Sequence, residues 1–172
     1  MNCKNKIIAK NHQPIFDDME IGVLATTLRR EIEQQCEPLF KYWDSSFDKD
    51  NYMVTFNSVR ILMPILEMSS KIEYGGDVPK LLKKLIVPEP KISWFMFRHG
   101  LMHSIRPFKV QYKDKIFGWG IKQYKGNHHI NSDNLISISP DKLLEDLKYY
   151  LQGFTGNTKK VKIQTSVELY KI

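Results

Sequence analysis

Residues 52–74 constrain the fold more than any other stretch of the chain. Val59, Leu62, Met63, Leu66 and Ile72 recur at helical spacing on one face, and Ile61, Ile65 and Met68 add a second apolar face beside it. An apolar surface that wide is stable only when several neighbours cover it, so this helix is expected at the centre of a domain. Pro64 lies in its middle, where the missing N–H and the ring call for a kink or a break. Gly75-Gly76 closes the run.

The neighbours are legible too. Ile21, Leu24, Ala25, Leu28, Ile32, Cys36, Leu39, Phe40 and Trp43 fall three and four apart, which predicts an amphipathic helix from Asp17 to just before Asp44-Ser45-Ser46. Asp17, Asp18 and Glu20 are expected in its first turn, where carboxylates complement the helix dipole. Asp77 is placed to cap a short helix with Leu81, Leu82, Leu85 and Ile86 inward and Lys80, Lys83 and Lys84 outward. Pro90 suits the first position of a fourth helix over 90–105, which Pro107 stops. Residues 1–16, polar and carrying Pro14, read as a loose lead-in.

Beyond Pro107 the period changes to two. Phe108, Val110 and Tyr112 alternate with Lys109, Gln111 and Lys113, Asp114 marks a turn, and 116–121 reads as the returning strand. A polar loop follows over 125–134, then a short strand over 135–138. Ser139-Pro140 starts a helix striped with Leu143, Leu144, Leu147 and Leu151 and ended by Gly153. The tail with Val161, Ile163, Val167 and Leu169 fits a strand, and a helix as well. The expectation is one domain over 1–172: a mainly α bundle at 17–106, with a β-hairpin and helix appended at 108–172.

Charge narrows the partners. In 172 residues, 26 Lys and Arg face 19 Asp and Glu, a formal +7 that favours polyanions such as RNA, although the lysines are scattered and equally suit a solvated surface. Met1-Asn2-Cys3-Lys4 lacks the apolar core of a secretory leader, and no run approaches the ~18 apolar residues of a membrane span. Cys3 and Cys36 are isolated, without metal or disulfide spacing, and read as reduced thiols, Cys36 packed on a helix. A cytoplasmic protein with no membrane partner is expected.

One segment carries chemistry. Arg98-His99-Gly100-Leu101-Met102-His103 stands near the end of the fourth helix among Trp94, Phe95, Phe97 and Ile105. His99 and His103, one turn apart, share a face, and Arg98 is long enough to reach round to it. An imidazole exchanges protons near neutral pH, and a guanidinium clamps a phosphate through two parallel hydrogen bonds. Together they suffice for RNA cleavage without a metal, and a symmetric dimer would double each group. Arg98 has a structural alternative as well, pairing with Glu67, which interrupts an apolar helix.

Arg98-His99-x-x-x-His103 resembles the R-x4-6-H motif of HEPN (higher eukaryote and prokaryote nucleotide-binding) domains, and Phe97 to His103 resembles a phrase in uncharacterised bacterial members. The resemblance spans about 17–106 and leaves the β-rich remainder uncovered. It implies a four- to five-helix bundle, a homodimer and a metal-independent endoribonuclease, with roles in bacterial defence or as a toxin held by an antitoxin or other partner protein. It also implies Arg98 as phosphate ligand, His103 as catalytic acid and base, and His99 as supporting polar residue. The alternative is a non-catalytic helical interaction module or a nucleotide-binding module, so enzyme activity is left open.

Other chemistry is weaker. Lys109, Lys113, Trp119, Lys122 and Tyr124 mix lysines with aromatics on the hairpin, a composition for RNA contact and equally for a ribbon edge protected by lysines. His99 and His103 have metal-ligand spacing, with His128 and His129 as further candidates. No H-E-x-x-H occurs, and the two later histidines read as a loop tip, so no metal is expected. No phosphate-binding G-x-x-x-x-G-K-[ST] loop or nucleophile elbow is present, and no cofactor is implied.

Overall fold

The computed structural model describes residues 15–46, 52–104, 106–120 and 126–165. Five helices and six strands follow one another along them. Strand β1 is Ile15–Glu20. Helix α1 runs over 21–46, with a wide π-turn at Ile32–Cys36 between α-helical halves Ile21–Glu31 and Glu37–Ser46. Helices α2 (Tyr52–Tyr74) and α3 (Val78–Lys84) come next. Helix α4 spans 90–103 as Pro90–Trp94, a second π-turn at Phe95–His99, and Gly100–His103. Strands β2 (Val110–Tyr112), β3 (Lys115–Trp119), β4 (His129–Ile130) and β5 (Leu135–Ser137) precede α5 (Pro140–Gln152) and β6 (Lys160–Thr165).

Helix α2 is the hub. Val59, Leu62 and Leu66 have no exposed surface, and the helix packs against α1, α3, α4, α5 and β6. Pro64 neither ends nor splits it: the ring sits on an exposed position of a helix continuous from 52 to 74. The Asp77 side chain caps α3 by accepting the Lys80 N–H at 3.3 Å, and Ser139 caps α5 through the Lys142 N–H. Cys36 is buried against the core, where burial first, then Glu31 and Glu37, push its thiol up to about 11.

The β structure overturns the expected architecture. About 59% of the fold is helix and 16% strand in two sheets, so the domain is mixed α/β and not a HEPN-like bundle with an appended hairpin. Four strands form one sheet in the order β2-β3-β5-β4, antiparallel except for the parallel β3/β5 pair. Phe117 and Ile136 from this sheet and Ile138 just beyond it, with Leu143, Leu147 and Leu151 of α5, enter the same buried cluster as the α1 and α2 side chains. A separate helical core never forms because α2 has two apolar faces, and elements from the second half of the chain cover part of them.

The other sheet pairs β1 with β6, antiparallel. Asp17, Asp18 and Glu20 therefore lie on a strand and not in the first turn of α1. Two of them find lysines instead, since Asp18 lies opposite Lys162 and Glu20 opposite Lys160. The first amides of α1 need no side-chain cap: Ile21 N–H donates to the Lys159 carbonyl and Gly22 N–H to that of Asn157, each at 2.8 Å. A Cβ on Gly22 would stand 2.8 Å from the Asn157 nitrogen, so only glycine permits this seam. Among the described residues, no helix is long and apolar enough to cross a membrane.

The chain leaves α4 by folding back over it. Arg60 donates to the Ser104 carbonyl at 2.7 Å, and the Phe108 N–H reaches the Met96 carbonyl at 3.3 Å. A Cβ on Gly100 would lie 2.4 Å from the Pro107 Cα and 2.6 Å from the Phe108 nitrogen, both backbone atoms that cannot swing aside. In an open helix Gly→Ala stabilises by about 1 kcal/mol. Here Gly100→Ala is expected to destabilise by roughly 3 kcal/mol, the upper end of overpacking effects, read as a lower urea midpoint; a raised midpoint would refute the close approach.

Candidate functional site

The second π-turn shapes the face on which the chemistry-bearing residues stand. On a regular α-helix, side chains four apart drift by about 40° at each step. A π-turn advances less per residue, and placing one at Phe95–His99 before the α-helical turn Gly100–His103 offsets that drift. The result is a ladder of three rings. Phe95 and His99 have centroids 4.7 Å apart, and His99 and His103 stack at 6.1 Å with their planes 24° from parallel. Phe95 and His103 are exposed and His99 is half-buried; Met102, 48% exposed, adds apolar surface beside them.

Arg98 points another way. Its Nε donates to Glu67 Oε1 on α2 at 3.1 Å, the pairing that a carboxylate interrupting the apolar run of α2 had suggested. Both side chains keep about a third or more of their surface in solvent, 32% for Arg98 and 43% for Glu67. Such a pair contributes ~0–1 kcal/mol, and its hydrogen bond runs through Nε and not the outer nitrogens. Among the described residues no hydrogen bond joins Arg98 to either imidazole, so guanidinium and ring ladder flank one helix turn without touching.

The hairpin residues divide. Lys109 and Lys113 are exposed, with the Lys113 ammonium 5.6 Å from the Tyr112 ring centre. Trp119 is partly buried, its ring meeting Phe56 edge to face at 5.2 Å, so its face is used at least in part for packing. Lys122 and Tyr124 lie outside the described residues. Among the described residues, no three His, Cys, Asp or Glu side chains cluster so as to hold a metal ion.

A second site escaped the sequence. A cleft of about 900 Å³ opens between the ends of α2 and α3, the loop at 127–128 and one face of α5. His128, expected at a loop tip, turns inward to it and accepts the Ser139 N–H on Nδ1 at 2.9 Å, which leaves its proton on Nε2. Burial holds its pKa down to about 4; Asp146 works against that shift, and Lys142 and His129 add to it. Lys142 and Asp146 pair across one turn of α5 at 2.5 Å. The i, i+4 spacing of that pair and the place of Tyr150 on the Leu143–Leu147 stripe were readable signals. Nothing local announced the inward turn of His128.

Comparison of the chain with protein-family models, with curated proteins and with solved structures gives no match in any of the three. The resemblance to HEPN domains therefore rests on Arg98, His99 and His103 alone.

A histidine kept neutral by the fold makes stability depend on pH. Unfolded, His128 takes up a proton near pH 6.5; folded, it resists until about pH 4. Its contribution is thus complete above pH 6.5 and lost as pH falls from there to about 4. By linkage the loss is on the order of 3 kcal/mol. Urea titrations from pH 7 to 4 should show this decline, and His128→Gln should flatten it; an equally steep decline in the variant would assign it to other groups.

Proposed function

We propose that the Arg98–His99–His103 face binds RNA and, with a second copy of the chain docked across it, cleaves the RNA backbone without a metal. The observation that carries this reading is the ladder itself, two imidazoles and an exposed phenyl ring aligned by a π-turn beside a guanidinium. Rings at that spacing can stack with bases, and imidazoles can move protons at the phosphate between them. One imidazole takes the proton of the 2′-hydroxyl as its oxygen attacks the adjacent phosphorus. The P–O5′ bond breaks, a second imidazole protonates the leaving 5′-oxygen, and a 2′,3′-cyclic phosphate remains.

Arg98 serves the phosphate in this scheme. Its exposed pairing with Glu67 is weak enough to be exchanged, and the guanidinium fork matches two phosphate oxygens. Exposed Lys109 and Lys113, further along the chain, add positive charge that a polyanion can meet. Met102, beside the rings, supplies apolar contact for a two-fold docking of α4 on itself, and without catalysis the same contact would make an interaction module.

Purified protein is expected to cut single-stranded RNA in EDTA, leaving cyclic phosphate ends. His103→Ala should lower the rate by about 10²- to 10⁴-fold. Arg98→Ala should do likewise, and both variants should melt within a few degrees of wild type because both side chains reach solvent. RNA bound but never cut would favour the interaction module, and equal cutting by His103→Ala would remove this face from the chemistry.

A further inference from the structure

Three departures from ordinary folding rules meet in the cleft between α3 and α5. The Tyr150 side chain is 8% exposed, and its hydroxyl is buried with no hydrogen-bond partner among the described residues. After burial as the first cause, the charge of Glu73 and the approach of its carboxylate to the hydroxyl push the phenol's pKa up, although the pair falls short of full hydrogen-bond geometry. The Nε2–H of His128 is likewise buried and unpartnered. Ile86 takes φ +58°, the left-handed conformation that a helix end ordinarily gives to glycine, while its side chain stands 84% exposed at the cleft wall. Each feature lowers the stability of the free protein, and strain and unsatisfied polar groups that cluster at one cavity mark binding sites.

The lining says what fits. Two carboxylates, Glu73 and Asp146, balance two ammonium groups, Lys84 and Lys142, so the formal charge of the cleft is near zero and favours an uncharged ligand. Ile86, Tyr149 and Phe154 offer flat apolar surface, with Tyr149 79% exposed. The His128 Nε2–H lacks an acceptor and the Tyr150 hydroxyl has only a poorly aligned one in Glu73, so a ligand acceptor would serve both and release the Glu73 carboxylate to an amino group. About 900 Å³ lies within the range of cofactor and nucleoside sites.

We propose that this cleft binds an uncharged, planar nitrogen heterocycle of nucleoside size, its ring acceptors facing the Tyr150 hydroxyl and the His128 Nε2–H. Both residues line the cleft. None of the lining residues belongs to the Arg98–His103 face, and the site stands whether or not that face cuts RNA.

The test is a titration of the ¹⁵N-labelled full chain with adenosine, guanosine and uridine, with ribose as the sugar control and AMP as the charged arm. At least one nucleoside should shift the amides of Ile86, Tyr149, Tyr150 and Gly153, ribose should shift none, and AMP should bind no more tightly than adenosine. Tyr150→Phe removes one oxygen and should weaken binding by about five- to tenfold, as for one hydrogen bond. The free variant should melt at or above the wild-type temperature, because an unsatisfied buried hydroxyl has gone. Ile86→Gly should melt about 2–4 °C higher by relief of strain and also bind more weakly. Absence of shifts at millimolar concentrations of all three nucleosides overturns the proposal, as does wild-type affinity in both variants.

Discussion

Burial of helix α2 on two faces is the condition under which everything else in this domain is arranged. Leu62 and Leu66 reach zero exposure, and Ser58, Ser69 and Ser70 on the same helix are buried with them, so the helix is enclosed round most of its circumference. A helix of 23 residues cannot be enclosed by its sequence neighbours alone. Helices α1, α3 and α4 cover part of it, and α5 and β6, more than sixty residues further along, cover more. The β-rich second half is therefore structural cladding for the helical first half. An ionic tie crosses that junction where Lys148 of α5 meets Glu37 of α1. Apolar area, at about 25 cal/mol per Å², is the term that holds it.

What the sequence disclosed follows from the same physics. Periodicity exposes every element whose apolar positions recur at a regular interval, on one face or, as in α2, on two, so α1, α2, α3, α4, the hairpin and α5 were all readable, with Asp77, Pro90, Ser139 and Gly153 marking their ends. Periodicity is silent about partners. Asp17-Asp18-Met19-Glu20 has the composition of a helical first turn, and only the distant strand Lys160–Thr165 makes it a strand. The same distant segment supplies the carbonyls that receive the first amides of α1, replacing the cap that local reading looks for. Treating the hairpin as an appendage failed for that reason: Phe117 and Ile136 carry no mark showing that their burial is against α2 and its neighbours and not against each other.

The candidate sites divide along the same line. His99 and His103 share a face by spacing alone, and Glu67 stood out as the carboxylate for Arg98 because it interrupts an apolar helix. The straightening of Phe95, His99 and His103 was not readable, since the apolar spacing of this stretch does not distinguish a π-turn from regular α-helix. His128 shows the limit most clearly. Two adjacent histidines in a polar loop look alike, yet one accepts a backbone N–H and is withdrawn from water while the other stays exposed.

The two sites also differ in what they ask of the fold, and that difference bears on how each functions. At α4 the groups are solvated, the Arg98–Glu67 pair contributes little, and exchange of Glu67 for another anion needs no rearrangement of the core. Such a face suits a large polyanion that approaches from outside and is held by many weak contacts. At the α3–α5 cleft, donors are buried without well-aligned acceptors and a β-branched residue is held in a left-handed turn, each a standing loss of ~1–3 kcal/mol in the empty protein. The Arg98–Glu67 pair is thus open to exchange at little cost, while the cleft between α3 and α5 holds buried polar atoms that the protein itself leaves without well-aligned partners.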